Sequence, residues 1–248
     1  MNNKIKLNPV TGNILIQSSS RNLIGNALKE YKKNLPPLTL EQKDIIVGTL
    51  LGDSTMPLRK GKPQYNIKWD YKPSSVGYLK HIYNIFEAYV GTGPKEEVKD
   101  KKTGRTSVWF RTYGDKRFRF YLNFFYKQIK GPDGLILDST KCVPKTIGKF
   151  LTPRAIAYWF MDDGTSDRQG PNCINYLFST HGFKRHESQL LCTILRDKYG
   201  ILANVHRDKD KYRIFILARS AQTLRELMEP YIHETFLYKL NGDPTPED

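Results

Sequence analysis

Apolar and polar positions along this chain follow helical and strand-like periods, and the order of those periods occurs twice. The first strong helix is predicted from Thr39, which is placed to cap it, with Gln42 three residues on in capping-box spacing. The run DIIVGTLLGD carries that helix to Asp53. Residues 54–70 read as a hairpin turning at RKGKP. Its second strand alternates, with Tyr65, Ile67 and Trp69 on one side and Gln64, Asn66, Lys68 and Asp70 on the other. Residues 75–90 form an amphipathic pattern through Leu79, Ile82, Ile85, Phe86 and Tyr89. A second hairpin is predicted with strands near 95–100 and 105–113 around KKTG, followed by a helix over 115–129. Residues 131–151 contain Gly-Pro-Asp-Gly and no clear period, and read as the connection between two halves.

After that connection the order returns. Thr152 caps a helix with Pro153 at its first position, and this helix runs through AIAYWFMDDG to Asp163. A hairpin over 165–180, a helix over 185–199, a strand pair around DKDK at 208–211 and a helix over 220–231 complete the copy. The fold class is therefore α+β: two αββαββα repeats with mixed antiparallel sheets and helices on one face. The expected organisation is an N-terminal arm over 1–37 with a short helix near 22–34, repeat 1 over 38–140, a linker over 141–151, repeat 2 over 152–241 and a disordered acidic tail over 242–248.

Both copies make the same electrostatic choice. A helix C-terminus already carries about half a negative charge, so an Asp there costs roughly 0.3–1 kcal/mol unless a cation offsets it. Asp53 closes one apolar helix, and Asp162 and Asp163 close the other. If the two helices pack side by side, Asp53 and Asp163 come together. Gly48 and Gly52, four apart on one face, would allow close backbone approach, whereas Tyr158 and Asp162 stand at the corresponding places of the second helix and make its seam bulkier. The plain alternative is that each Asp opens the turn after its helix.

Composition narrows the partner. With 39% hydrophobic and 12% aromatic residues the chain has material for real cores, and 40 Lys and Arg against 25 Asp and Glu give a formal charge of +15. That excess predicts attraction to polyanions, nucleic acid first. No apolar run reaches the length of a membrane span, and the N-terminus has neither a signal-peptide core nor an Arg-rich transit helix, so the protein is expected to stay where it is made. Cys142, Cys173 and Cys192 lack metal-ligand spacing and read as reduced thiols.

The polar strand faces form a second constellation: Gln64, Asn66, Lys68 and Asp70; Arg105, Ser107 and Arg111; Asn175 and Ser179; Arg207, Arg213 and Arg219. Mixed amide, hydroxyl and basic side chains on a β-ribbon suit direct readout of base edges in a major groove, although a solvated sheet face would also be polar. Arg59, Lys60, Lys62, Lys72, Lys116, Arg168 and Lys209 are assigned to the same interface, the basic runs among them to phosphates. The halves differ in sequence, so a duplex target of about two turns would be asymmetric.

VGTLLGDS and AYWFMDDG look like two degenerate copies of the L-A-G-L-I-D-A-D-G motif. Over residues 38–240 the chain resembles the monomeric, two-repeat LAGLIDADG homing endonucleases encoded by organellar group I introns. LTPRAIAYWFMDDG and the Tyr-Lys-Leu of residues 238–240 carry the most specific part of the likeness. The resemblance implies two LAGLIDADG helices at the centre of a saddle of antiparallel ribbons, and a double-strand DNA endonuclease leaving short 3′ overhangs. Asp53 and Asp163 fall at the eighth motif position and would be the metal-binding catalytic acids, with Asp162 and the Gly52 backbone as further metal candidates. Lys141 matches a basic active-site position, and Lys211 or Lys239 supplies its counterpart. The implied metal is Mg²⁺, with Mn²⁺ able to substitute and Ca²⁺ binding without supporting cleavage, and the implied compartment is an organelle. Leu51 and Met161 replace the acidic sixth motif residue, and Ser54 replaces a Gly. Members of the family also act as RNA-binding intron maturases, which leaves intron RNA as an alternative partner.

Overall fold

The computed structural model describes residues 6–7, 14–15, 23–59, 62–170 and 173–244. In chain order it contains β1 (Lys6–Leu7), β2 (Ile14–Leu15), α1 (Gly25–Lys33), α2 (Leu40–Leu51), β3 (Leu58–Arg59), β4 (Lys62–Pro63), β5 (Lys68–Tyr71), α3 (Val76–Phe86), β6 (Lys95–Asp100), β7 (Arg105–Arg111), α4 (Arg119–Phe125), β8 (Tyr126–Lys130) and β9 (Ile136–Lys141). There follow α5 (Pro153–Asp163), β10 (Gly164–Gly170), β11 (Cys173–Ser179), α6 (Arg185–Tyr199), β12 (Ala203–Asp208), β13 (Lys211–Ile216), α7 (Ala218–Met228) and α8 (Leu237–Asn241). The class is α+β with antiparallel strand pairs. The chain divides into two compact units, residues 1–38 with 54–119, and residues 39–53 with 120–248.

In the first unit β5, β7 and β6 form a three-stranded sheet in that order. Ile67, Trp69 and Tyr71 are buried, and the Trp69 ring lies 5.0 Å from both Phe86 and Phe110. The predicted strand over 64–70 starts only at Lys68, because Tyr65 takes a φ of 45° and turns the chain out of the extended conformation. The expected hairpin forms around RKGKP, with β3 and β4 paired (Leu58 opposite Pro63) and Thr55 exchanging backbone hydrogen bonds with Lys68 at 3.0 and 2.8 Å, while the rest of β5 pairs with β7. Helix α1, in the expected arm, is tied into this unit: the Tyr31 hydroxyl donates to Ala88 O at 2.8 Å and Arg117 to Lys32 O at 3.1 Å.

The helix expected over 115–129 stops at Phe125. The Phe125 carbonyl accepts the Cys142 N–H at 2.8 Å, and from Tyr126 onward the backbone pairs with β9. Gly-Pro-Asp-Gly is the turn of this hairpin, with Gly134 at φ 75° and Gly131 N–H donating to Leu135 O at 2.8 Å. The stretch 131–151 thus contains a strand that the missing period concealed. The last predicted helix ends at Met228 because Pro230 cannot continue it, and a 3-10 turn follows. Residues 245–248 of the expected tail lie outside the described residues.

The second unit holds a four-stranded sheet ordered β10-β11-β13-β12. Its core includes Trp159 stacked on Phe178 at 4.1 Å. Helix α2 begins with the predicted capping box, Gln42 N–H donating to Thr39 Oγ1 at 3.1 Å and Thr39 N–H to Gln42 Oε1 at 3.0 Å. Thr152 accepts the Ala155 N–H at 3.1 Å to start α5. The two helices pack in direct backbone contact. A Cβ on Gly48 would lie 2.3 Å from Ala155 O and 2.7 Å from Tyr158 Cβ, and one on Gly52 would lie 2.4 Å from Asp162 Cβ. The seam therefore has the expected asymmetry, glycine on α2 facing bulk on α5. Among the described residues no helix is long and apolar enough to cross a membrane.

This seam gives a stability prediction. Gly48→Ala puts a methyl against a backbone carbonyl that cannot swing aside, so it should destabilise by roughly 1–3 kcal/mol despite Ala being the better helix former. Thermal denaturation should read this as a lower midpoint, about 2–4 °C for each kcal/mol.

Candidate active site at the paired helix ends

The contact between α2 and α5 persists to their C-termini. Asp162 Oδ2 accepts the Asp53 N–H at 3.1 Å, so the first carboxylate after α5's Met161 closes the end of α2. Asp53 is exposed and Asp163 half-buried. Two lysines reach the same ends from elsewhere in the unit. Lys141, the last residue of β9, donates from Nζ to Gly52 O at 2.7 Å. Lys239, in α8, donates to Met161 O at 2.7 Å and reaches Asp162 O at 3.4 Å, with Nζ 4.9 Å from the Phe236 ring centre. Each ammonium therefore sits on the negative end of one acid-tipped helix, the offset the helix dipole requires.

Charge and burial are in tension at this point. Loss of water raises Asp163 from an ordinary carboxyl value to about 7, Asp53 adds like-charge repulsion in the same sense, and Lys141 and Lys239 oppose both. Asp53 is raised by the same desolvation and lowered by the same two lysines. Burial also lowers Lys141 and Lys239, against the pull of Asp53, Asp162 and Asp163. Asp163 and the two amines are thus partly withdrawn from water, with Asp53 beside them at the solvent-facing rim. Among the described residues no cluster of three or more His, Cys, Asp or Glu forms a ready-made metal cage. Mg²⁺ does not need one, because it commonly binds through one or two carboxylates and keeps several waters. Asp53 and Asp163 are the oxygen donors suited to it. The Gly52 carbonyl is taken by Lys141, and Asp162 by the Asp53 N–H.

The other proposed lysine, Lys211, stands exposed at the start of β13, where the β12–β13 hairpin turns. The lysines whose charge acts on Asp53 and Asp163 are Lys141 and Lys239, which removes Lys211 from the candidate site.

The sheet faces divide the remaining candidates. In the first unit Lys68, Asp70, Ser107 and Arg111 share the face opposite the core, with Lys68 across from Arg111 and Asp70 across from Trp109. Ser107 and Asn66 are buried, Asn66 just before β5, so neither is presented to a ligand as expected, and Arg105 is exposed on β7. Asp70 is bonded by Lys68 at 2.6 Å and by Lys99 at 2.9 Å. Gln64 is half-buried, and Lys72 and Lys116 are exposed just outside the strands. Lys60 and the side chains of Arg59 and Lys62 lie outside the described residues. In the second unit Asn175 and Ser179 lie on the outer face of β11, and Arg213, across from Ser179, bonds Asp208. Three expectations fail in this unit. Arg207 stands across from Tyr212, one register step from Arg213, and so faces the other side of the sheet. Arg168 shares the face of Ser166 and holds the end of α8 through Asn241 O. Arg219 lies in α7, not on a strand. Lys209 occupies the β12–β13 turn at φ 56°.

Trp109 is the residue that sequence reading missed. It is half-buried on the outer face of β7, with Lys68 Nζ 4.8 Å and Arg111 Cζ 5.9 Å from its ring centre. The alternation of Val108 and Phe110 inward already placed it outward.

A model of the LAGLIDADG DNA endonuclease family matches residues 43–224. The probable intron-encoded endonuclease 1 of Wickerhamomyces canadensis is 28% identical over 220 residues, 86% of this chain and 89% of that protein. DNA endonuclease I-ChuI of Chlamydomonas applanata is 27% identical over 213 residues, 82% of this chain and 96% of its own. The cytochrome b mRNA maturase bI2 of Saccharomyces cerevisiae is 27% identical over 223 residues, 86% of this chain and 50% of that protein. Among solved structures, the homing endonuclease I-WcaI bound to its DNA recognition sequence matches with a TM-score of 0.76 at 25% identity, covering 87% of this chain and 92% of that one.

The raised carboxyl gives a pH prediction. Asp163 ionises near 3.8 when unfolded and near 7 when folded, so its stabilising protonation is present at low pH and lost as pH rises through 7. Asp163→Asn cannot ionise. In EDTA the thermal midpoint of the variant should gain on that of the native chain between pH 4.5 and pH 8, with most of the gain accruing by pH 7; parallel curves would contradict the assignment.

Proposed function

The chain belongs to the LAGLIDADG DNA endonuclease family, and from that premise we propose that it is a site-specific homing endonuclease that cuts both strands of a long, asymmetric DNA duplex. The observation that carries the reading is that the ends of α2 and α5 adjoin, with Asp162 accepting the Asp53 N–H and Asp53 and Asp163 within reach of each other's charge, and that each end is held by a lysine. Phosphodiester hydrolysis builds negative charge on the phosphoryl and leaving oxygens, and preorganised cationic groups lower its barrier. Asp53 and Asp163 supply hard oxygen ligands for Mg²⁺, with Mn²⁺ as a substitute and Ca²⁺ as a non-productive occupant. A divalent ion bound there would polarise the phosphoryl oxygen and activate water. Asp163 must lose its proton to serve as a ligand, so activity at limiting metal should climb as pH rises through about 7. Lys141 and Lys239 keep positive charge beside the reacting phosphates. One carboxylate serving each strand accounts for a double-strand break; short 3′ overhangs are part of the proposal and are read directly from the ends of the cleaved product.

The outer sheet faces supply the duplex contacts: Lys68, Arg111 and Trp109 in the first unit, and Asn175, Ser179 and Arg213 in the second. Their mix of amide, hydroxyl and basic groups matches base-edge readout, and the target is expected to span about two turns. The protein is read as a monomer working in an organelle. A second reading, RNA-binding maturase, is favoured by one observation: maturases of Saccharomyces cerevisiae and Debaryomyces hansenii are 27% and 28% identical to the chain over 86% and 83% of its length.

The test is cleavage of a randomised duplex library with Mg²⁺ by the native chain and by an Asp53→Asn, Asp163→Asn double variant. One asymmetric cut site is expected from the native chain, with cleavage abolished and duplex binding retained in the variant. Lys239→Ala should keep binding and lower kcat by roughly 100-fold, the scale of losing one preorganised electrostatic contact. Binding without cutting in Mg²⁺ and Mn²⁺ would end the endonuclease reading and leave intron RNA as the ligand.

A further inference from the structure

The two lysines at the helix ends are placed by different means. Lys141 ends β9, where the strand ladder sets its backbone opposite Tyr126 and the next residue, Cys142, donates its N–H to Phe125 O at 2.8 Å. Lys239 has no ladder beside it. It sits in α8, a helix of five residues, and helices shorter than about 12 residues are marginal in water. Something outside α8 must hold it.

Four side chains from three other elements do so, all at the carbonyl end, where a helix has no partners of its own. Ser166 on β10 donates to Lys239 O. The buried Tyr176 hydroxyl on β11 donates to Leu240 O at 2.7 Å. Arg225 on α7 donates to the same Leu240 O at 2.7 Å and to Asn241 Oδ1 at 3.0 Å. Arg168 on β10 donates to Asn241 O at 2.5 Å and reaches Asp243 Oδ1 at 3.4 Å. Two of the four are guanidiniums, cations on the negative end of the helix dipole.

This clamp closes on the candidate active site. Ser166 lies three residues beyond Asp163 on the same backbone, and it bonds the carbonyl of Lys239 itself. The ammonium of Lys239 then returns to Met161 O at 2.7 Å and Asp162 O at 3.4 Å. Lys239 is thus fixed at its main chain to β10 and at its tip to the end of α5. A lysine side chain has a flexible four-carbon stem, so its ammonium is placed only as well as the backbone that carries it.

We propose, on the basis of the endonuclease reading, that Arg225 and Tyr176 are positioning residues for Lys239, acting on phosphodiester cleavage by fixing the carbonyl end of α8 and touching neither substrate nor metal. A brace that served stability alone would show in the thermal midpoint and leave the folded enzyme's turnover intact. Positioning residues show in turnover, and only while the group they position is present.

The test is a double-variant cycle on the full chain, with the cut duplex recovered from the library as substrate and saturating Mg²⁺. Arg225→Met keeps the reach of the side chain and removes its donors and charge. It should lower kcat about ten-fold, within the range that a small misplacement costs, with KM and duplex affinity unchanged. Tyr176→Phe should lower kcat by a smaller factor, because Arg225 still bonds Leu240 O. In a Lys239→Ala background neither change should lower kcat further. Losses that multiply with that of Lys239→Ala, a loss confined to duplex affinity, or unchanged kcat in both folded single variants would each overturn the proposal. Tyr176→Phe, which removes one hydroxyl, completes the cycle if Arg225→Met does not fold. A native chain that cuts no duplex would overturn the endonuclease reading instead, and the proposal with it.

Discussion

The geometry of the second unit depends on how closely α2 and α5 approach. Gly48 and Gly52 let the α2 backbone lie against Ala155, Tyr158 and Asp162 of its neighbour, and the two helices stay in contact to their last turns. That contact forces two helix dipoles and two Asp side chains of the same sign into one place. Lys141 and Lys239 stabilise the arrangement by bonding the terminal carbonyls of one helix each, yet they leave the carboxyls desolvated enough that Asp163 rises to about 7. An unfavourable concentration of charge is kept because the surrounding seam over-determines it, which is how perturbed groups are retained at functional sites.

This arrangement assigns different work to neighbouring acids. Asp162 closes the end of α2 through the Asp53 N–H, so its oxygen is committed to structure. Asp53 and Asp163 are held by proximity and through-space charge. A divalent cation would relieve the repulsion between these two, and the same repulsion in its absence favours protonation. Metal affinity and pH response at the site therefore share one cause. The lysines arrive from β9 and α8, so the hairpin of β8 and β9 and the short C-terminal helix each position one of them.

Much of this was legible along the chain because the informative signals were local. The capping pair Thr39 and Gln42, the Thr152-Pro153 start and the two Asp-tipped apolar runs each lie within one helix, and the Gly48–Gly52 spacing foretold the close seam. Signals that depend on distant partners were not legible. The strand β9 carries no alternation of its own and is defined by pairing with β8, so 131–151 read as linker. Choosing Lys239 over Lys211 required knowing where α8 ends up. Arg207 and Arg168 were misplaced because one residue of register turns a strand side chain to the other face, and composition cannot fix register. Trp109 was passed over although its outward position followed from its neighbours.

The most direct measurement is a ¹³C NMR titration of the Asp carboxyls, without metal and then with saturating Ca²⁺. Asp163 should titrate near 7 in the metal-free protein, and Ca²⁺ should bring it down to or below the ordinary carboxylate range, with Asp53 moving in the same direction. An Asp163 that titrates as an ordinary carboxyl and ignores Ca²⁺ would mean that the paired helix ends do not form a strained, cation-seeking site.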